Sequence, residues 1–204
     1  MQIEAIKSEQ QRILKELYLF KDFYLVGGTA LALQIGHRVS IDFDLFTEKC
    51  LPPNLLSRVK KIFPKAKIAI ILKHLEQFSV TVDGIKIDFV KEQPLLLDPV
   101  VFQNLKITSV AEIAAMKAHT LGFRGKLKDY VDLYFILKNK ITDLQSIGDL
   151  AERKYGAEFN FRLFLEQLTY MEDIEAVDIE FLREKIDKAG LQKFFQEEVK
   201  KIKI

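Results

Sequence analysis

Apolar and polar positions follow two rhythms along this chain, and the rhythm changes near residue 105. Over residues 3–20, apolar side chains at Ile3, Ile6, Ile13, Leu14, Leu17 and Leu19 are separated by polar ones, which predicts one amphipathic helix. Residues 23–26 form a short apolar run closed by Gly27-Gly28, predicting a strand followed by a helix over 29–34. Residues 41–46 alternate with period two and predict a second strand. Pro52-Pro53 suits the first turn of a helix that ends near Phe63-Pro64. Residues 67–72 and 77–82 predict strands, and Asp83-Gly84 marks a hairpin into 85–90. The pattern changes between Pro94 and Pro99. Ser109-Val110-Ala111-Glu112 has the form of a capping box, and the rest predicts helices to the C-terminus. The expected fold class is α+β: a mixed sheet with flanking helices over residues 1–105, then a helical bundle over 106–204.

The period of the 41–46 strand carries the first chemistry. It puts Asp42 and Asp44 on one face and Ile41, Phe43 and Leu45 on the other. Two adjacent carboxylates raise each other's pKa unless a cation lies between them. Mg²⁺ fits that role, because it takes carboxylates together with phosphate oxygens at an open site. Gly27 and Gly28, upstream, let backbone approach phosphates at a helix start, and Thr29 adds a hydroxyl. Arg38 suits a triphosphate, and Ser40 a phosphate or ribose; both serve equally well as loop residues that balance the acids. His37 has no second histidine or cysteine nearby, which argues against zinc. The plainer alternative is a polar edge strand with two solvated acids.

Asp88 faces away from Ile85, Ile87 and Phe89, on the same side as Lys86. If its strand neighbours 41–46, Asp88 joins Asp42 and Asp44, and three acids suffice for a two-ion scheme. The alternative is an outward Lys86/Asp88 pair on a half-exposed strand. In the helical half, Lys117 falls within the apolar stripe of Val110, Ile113, Ala114 and Leu121, pointing either to snorkelling or to an anion. Asp129 and Asp132 lie three apart on a nearly all-apolar helix, with Lys117, Arg124, Lys126 and Lys128 close in sequence. A structural ion-pair network accounts for them as well as a catalytic one does.

Composition narrows the picture a little. Net charge is +2 over 204 residues, and the two halves carry 14 Lys/Arg against 12 Asp/Glu and 17 against 17. Charge alone therefore does not argue for nucleic acid. No apolar run approaches the ~20 residues of a membrane span, and the first residues lack the order of a signal peptide. The single Cys50 excludes an intrachain disulfide and fits a reducing, cytoplasmic setting.

Gly27-Gly28-Thr29-Ala30-Leu31 followed by Gly36-His37-Arg38-Val39-Ser40-Ile41-Asp42-Phe43-Asp44-Leu45-Phe46 resembles the first motif of the AbiEii/AbiGii-type nucleotidyltransferase toxins. Lys117, Arg124 and Lys128-Asp129-Tyr130-Val131-Asp132-Leu133-Tyr134 resemble that family's later lysine and aspartate motifs. The resemblance implies a fold of the DNA polymerase β-like nucleotidyltransferase superfamily, with residues 1–105 as its α/β core. It also implies a helical domain that brings Lys117 and Asp129/Asp132 to the cleft. It further implies an enzyme that transfers NMP from an NTP to an acceptor hydroxyl, with RNA, tRNA in particular, as acceptor, and release of pyrophosphate. Two Mg²⁺ ions would sit at Asp42, Asp44 and, by the superfamily pattern, Asp88. Gly27, Gly28, Thr29, Arg38, Ser40, Lys117 and Arg124 would bind the nucleotide, and Asp132 would contribute to catalysis. A bacterial toxin of this kind has a cognate antitoxin protein as partner. A catalytically inactive nucleotide- or partner-binding module of the same fold is the reading from another class. Residues 140–204 match no motif and are acidic around 172–187, a face that nucleic-acid phosphates disfavour.

Overall fold

A computed structural model describes residues 1–202; positions 203 and 204 of the expected helical half lie outside the described residues. The chain forms two compact units, Met1–Thr108 and Ser109–Ile204.

The first unit is built on seven strands: β1 (Tyr24–Val26), β2 (Phe43–Thr47), β3 (Ile68–Lys73), β4 (Gln77–Val82), β5 (Ile85–Lys91), β6 (Val100–Phe102) and β7 (Leu105–Ile107). They form one mixed sheet in the order β3-β4-β5-β2-β1-β7-β6. β2 runs antiparallel to β1 and parallel to β5, so the strand bearing Asp44 lies between the strand before Gly27 and the strand bearing Asp88. Period-two burial fixes this register: Leu25, Phe43, Leu45, Ile87 and Phe89 are fully buried. Phe89 meets Phe20 and Phe23 edge-on at 5.0 and 5.2 Å. A one-residue slip would carry this apolar set to the opposite face and the acids into the core. Helices α1 (Ser8–Leu14), α2 (Gly27–Ile35) and α3 (Leu55–Ile62) complete the unit.

Residues 3–20 are not the single helix that their periodicity predicts. They form a 3₁₀ turn at Ile3–Ala5, α1, and a second 3₁₀ turn at Leu17–Leu19. The backbone before α1 is committed elsewhere: Gln2 N donates to Leu33 O, and Ser40 N donates to Ala5 O at 2.9 Å. The 41–46 strand also starts later than expected, at Phe43. Asp42 offers its carbonyl to the Thr29 hydroxyl, and Ile41 is half exposed instead of buried with Phe43 and Leu45. β6 and β7 carry too few residues to show a period, and Gln103 and Asn104 turn between them at positive φ. β7 pairs with β1 through Leu25↔Ile107, which takes the sheet past residue 105.

The second unit is helical: α4 (Val110–Arg124), α5 (Leu127–Lys138), α6 (Leu144–Tyr155), α7 (Phe161–Thr169) and α8 (Lys188–Val199). Ser109, Asp143, Asn160 and Asp187 cap four of these by accepting backbone N–H bonds, each typically contributing about 1 kcal/mol. Glu112 does not complete the predicted capping box; its carboxylate accepts from Lys154 instead. Between α7 and α8, where helix was expected throughout, the chain is irregular. Glu172, Asp173, Glu175, Asp178 and Glu180 crowd like charge into that stretch. No helix among the described residues is long and apolar enough to cross a membrane.

Candidate active site

The sheet unit gathers most of the expected residues around the turn after β1. Val26 pairs with Asp44, and Asp44 pairs with Asp88 on the next strand. Gly27 follows Val26 at φ +71°, and a Cβ there would lie 2.3 Å from Asp44 Oδ2. Any side chain at position 27 would therefore collide with the Asp44 carboxylate as well as strain the backbone. A Cβ on Gly28 would lie 2.5 Å from Arg38 Nη2 and 3.4 Å from Ser40 Oγ. The paired glycines thus let one turn approach a carboxylate and a guanidinium together.

Thr29 links this turn to the acidic strand. Its hydroxyl donates to the Asp42 carbonyl and lies 2.8 Å from the Ser40 hydroxyl. Thr29, Arg38 and Ser40 are all buried, and Arg38 Nη1 donates to the Val39 carbonyl at 3.2 Å. Asp88 is only 7% exposed. Its Oδ2 accepts from Lys86 Nζ, while its Oδ1 is buried with no hydrogen-bond partner. Burial, the largest influence on Lys86, pulls its pKa down; the hydrogen bond and charge of Asp88, with the charges of Asp42 and Asp44, outweigh it and leave the pKa raised. The Lys86/Asp88 pair therefore forms, with its carboxylate buried instead of outward.

Among the described residues, no group of three or more His, Cys, Asp or Glu side chains stands ready to hold a metal ion. Asp44 and Asp88 on adjoining strands and an orphaned Asp88 oxygen, with the Asp42 charge also acting on Lys86, still suit a hard cation that completes its shell with substrate oxygens. Mg²⁺ commonly binds through one or two carboxylates plus phosphates and waters, so a closed protein cage is not required.

In the helical unit Lys117 is buried and donates to Asp129 Oδ1 at 2.8 Å, with Asp132 Oδ2 at 2.6 Å. Asp129 also accepts the Lys126 backbone N–H at 3.2 Å, which fixes it at the start of α5. Arg124 is exposed at the end of α4, seven residues beyond Lys117. A second buried pair, Lys154 with Glu112 at 2.9 Å, escaped the sequence reading. Its signal was present: Lys154 continues the apolar stripe of Ile147, Leu150 and Ala151, much as Lys117 interrupts its own.

Similar proteins bear on this arrangement. The family described as the nucleotidyl transferase AbiEii toxin of a type IV toxin–antitoxin system matches residues 12–203. An uncharacterized protein of Aquifex aeolicus (strain VF5) is 34% identical over 207 residues, covering 97% of this chain and 98% of that one. MenT4, a nucleotidyltransferase toxin from Mycobacterium tuberculosis H37Rv, has a similar structure, with TM-score 0.61 at 13% identity over 91% of this chain and 79% of its own. A candidate nucleotidyltransferase from H. pylori gives TM-score 0.55 at 21% identity, covering 94% and 92%. At these identities, the two structural likenesses speak for the fold.

Proposed function

Because the chain belongs to the AbiEii nucleotidyltransferase toxin family, we propose that it transfers NMP from an NTP to a hydroxyl of RNA, tRNA within that class. The observation carrying this reading is the register that sets Asp44 between the Gly27 turn and Asp88. The acceptor oxygen bonds to the α-phosphorus, and the bond from that phosphorus to the α–β bridging oxygen breaks. Pyrophosphate leaves with the electron pair, and the hydroxyl proton passes to water. Asp42, Asp44 and Asp88 would hold Mg²⁺, which when bound neutralises the triphosphate and lowers the pKa of the attacking hydroxyl. Gly27, Gly28 and Thr29 present backbone to the triphosphate, the Thr29 hydroxyl meanwhile holding the Asp42 carbonyl, while Arg38 and Ser40 orient it beside the acids. On the helical unit, Lys117, its ammonium fixed by Asp129 and Asp132, and Arg124 are further groups suited to phosphate contact. The setting is the cytoplasm, with an antitoxin protein as partner.

The test offers each labelled NTP separately with Mg²⁺ and total RNA. One NTP labels an RNA, and Asp44→Asn lowers the label about 10²-fold or more, the scale of losing one electrostatic contact in a transition state. Nucleotide binding with no labelled product would favour the inactive binding module. Growth arrest on induction, relieved by Asp44→Asn, tests the toxin role separately.

A further inference from the structure

We propose that Lys86 is an internal competitor for the divalent cation, so that ion and NTP bind the acidic face cooperatively. The inference rests on the metal reading above and concerns how that site is filled.

Lys86 and Asp88 are two apart on β5 and share one sheet face, where the Lys86 ammonium bonds the Asp88 carboxylate. Asp44, the strand partner of Asp88, and Asp42 also attract that ammonium. A dication at Asp88 needs the oxygens that Lys86 engages, and two cations in contact with one carboxylate repel. The ion therefore enters by displacing Lys86. The Lys86 side chain is 38% exposed, which leaves its stem room to move. By contrast, Lys117 is 9% exposed and held by two carboxylates.

A displaced ammonium needs another anion, and the triphosphate brings several oxygens beside the Gly27 turn. An ion arriving alone breaks the Lys86–Asp88 pair without replacement. An ion arriving with NTP exchanges that pair for a lysine–phosphate contact. This difference is a coupling free energy between the two ligands, and it is reciprocal.

Mn²⁺ serves as probe, its affinity read by electron paramagnetic resonance. The affinity of non-hydrolysable α,β-methylene NTP analogues is measured with and without Mn²⁺. The proteins are wild type, Lys86→Met, Lys86→Gln, Lys86→Arg and Asp44→Asn, and complexation in free solution is common to all. Lys86→Met and Lys86→Gln are expected to bind Mn²⁺ alone about tenfold more tightly than wild type, and to lose about tenfold of the Mn²⁺-dependent gain in nucleotide affinity. Lys86→Arg keeps the wild-type pattern. Wild-type values in both uncharged variants, or weaker Mn²⁺ binding in them, overturn the role of Lys86 while leaving an Asp44-dependent ion site standing. Absence of Mn²⁺ uptake by every one of these proteins, with and without the NTP analogue, or uptake unchanged in Asp44→Asn, overturns the metal reading and the inference with it.

Discussion

The two units bury carboxylates in opposite ways. In the helical unit Glu112 meets Lys154, and Asp129 and Asp132 share Lys117, at 2.6 to 2.9 Å. In the sheet unit Asp88 gives one oxygen to Lys86 and keeps the other buried without a partner. Buried acceptors normally find donors, so an orphan on a strand beside two further acids calls for an explanation that a matched pair does not. Carboxylates that each reach an ammonium help fix the geometry of a helix bundle. Under the proposed function, the orphaned Asp88 oxygen marks where a ligand would supply positive charge. Neutralising Glu112 should therefore cost stability, and neutralising Asp88 activity.

The largest effect is expected at Glu112. Glu112→Ala leaves the buried Lys154 ammonium without its carboxylate and should cost about 3–5 kcal/mol of stability. The double variant Glu112→Leu/Lys154→Met removes both charges and should recover most of that loss. Denaturant unfolding of the three proteins decides it. A single variant as stable as wild type would show that the pair can be broken at no cost, and the contrast between the units would fail.

A smaller effect appears at high pH. Burial pushes the Tyr130 phenol up to about 12, aided by the charges of Asp173 and Asp129. The ordinary value is about 10, so between these pH values the native state keeps a proton that the unfolded chain releases. Stability from Tyr130 is thus whole below pH ~10 and is lost as pH rises through ~12, by about 2–3 kcal/mol. Beside Asp129, which already shares one ammonium with Asp132, a further buried negative charge is disfavoured. Tyr130→Phe should flatten this alkaline slope, while losing about 1 kcal/mol at neutral pH with the hydroxyl bond to Gln167 O. An unchanged slope in stability measured from pH 9 to 12 would assign the alkaline sensitivity to another group.

These contrasts were legible in the sequence to different degrees. Period two around Phe43–Leu45 and Ile85–Phe89 gave the strands and the facing of Asp44 and Asp88, because alternation reports burial directly. The hairpin at Asp83-Gly84 and helix α5 at Leu127–Lys138 were equally plain. Residues 3–20 misled, since their periodicity is real but the bonds of Gln2 to Leu33 and of Ala5 to Ser40 commit the backbone before α1 elsewhere. β6 and β7 stayed hidden because three residues display no period. The inward facing of Lys117 and Asp132 was legible from two helical stripes, although Arg124, Lys126 and Lys128 stood as equal partners for the acid, whereas Lys154–Glu112 joins residues 42 apart and no local pattern pairs them.

The smallest structural effect, and the clearest separation of the units, is expected from Asp88→Asn. The amide keeps the shape of the side chain and removes a buried charge whose Oδ1 already lacks a donor. Lys86 retains the attraction of Asp42 and Asp44. Stability should therefore move by less than about 1 kcal/mol, because the lost ion pair and the relieved desolvation oppose each other. NMP transfer, under the proposed function, should nevertheless fall by about 10²-fold or more. Unfolding and label transfer measured on the same preparation give both numbers. A large loss of stability with activity intact would make Asp88 a structural acid like Glu112, and its orphaned oxygen would then have no bearing on catalysis.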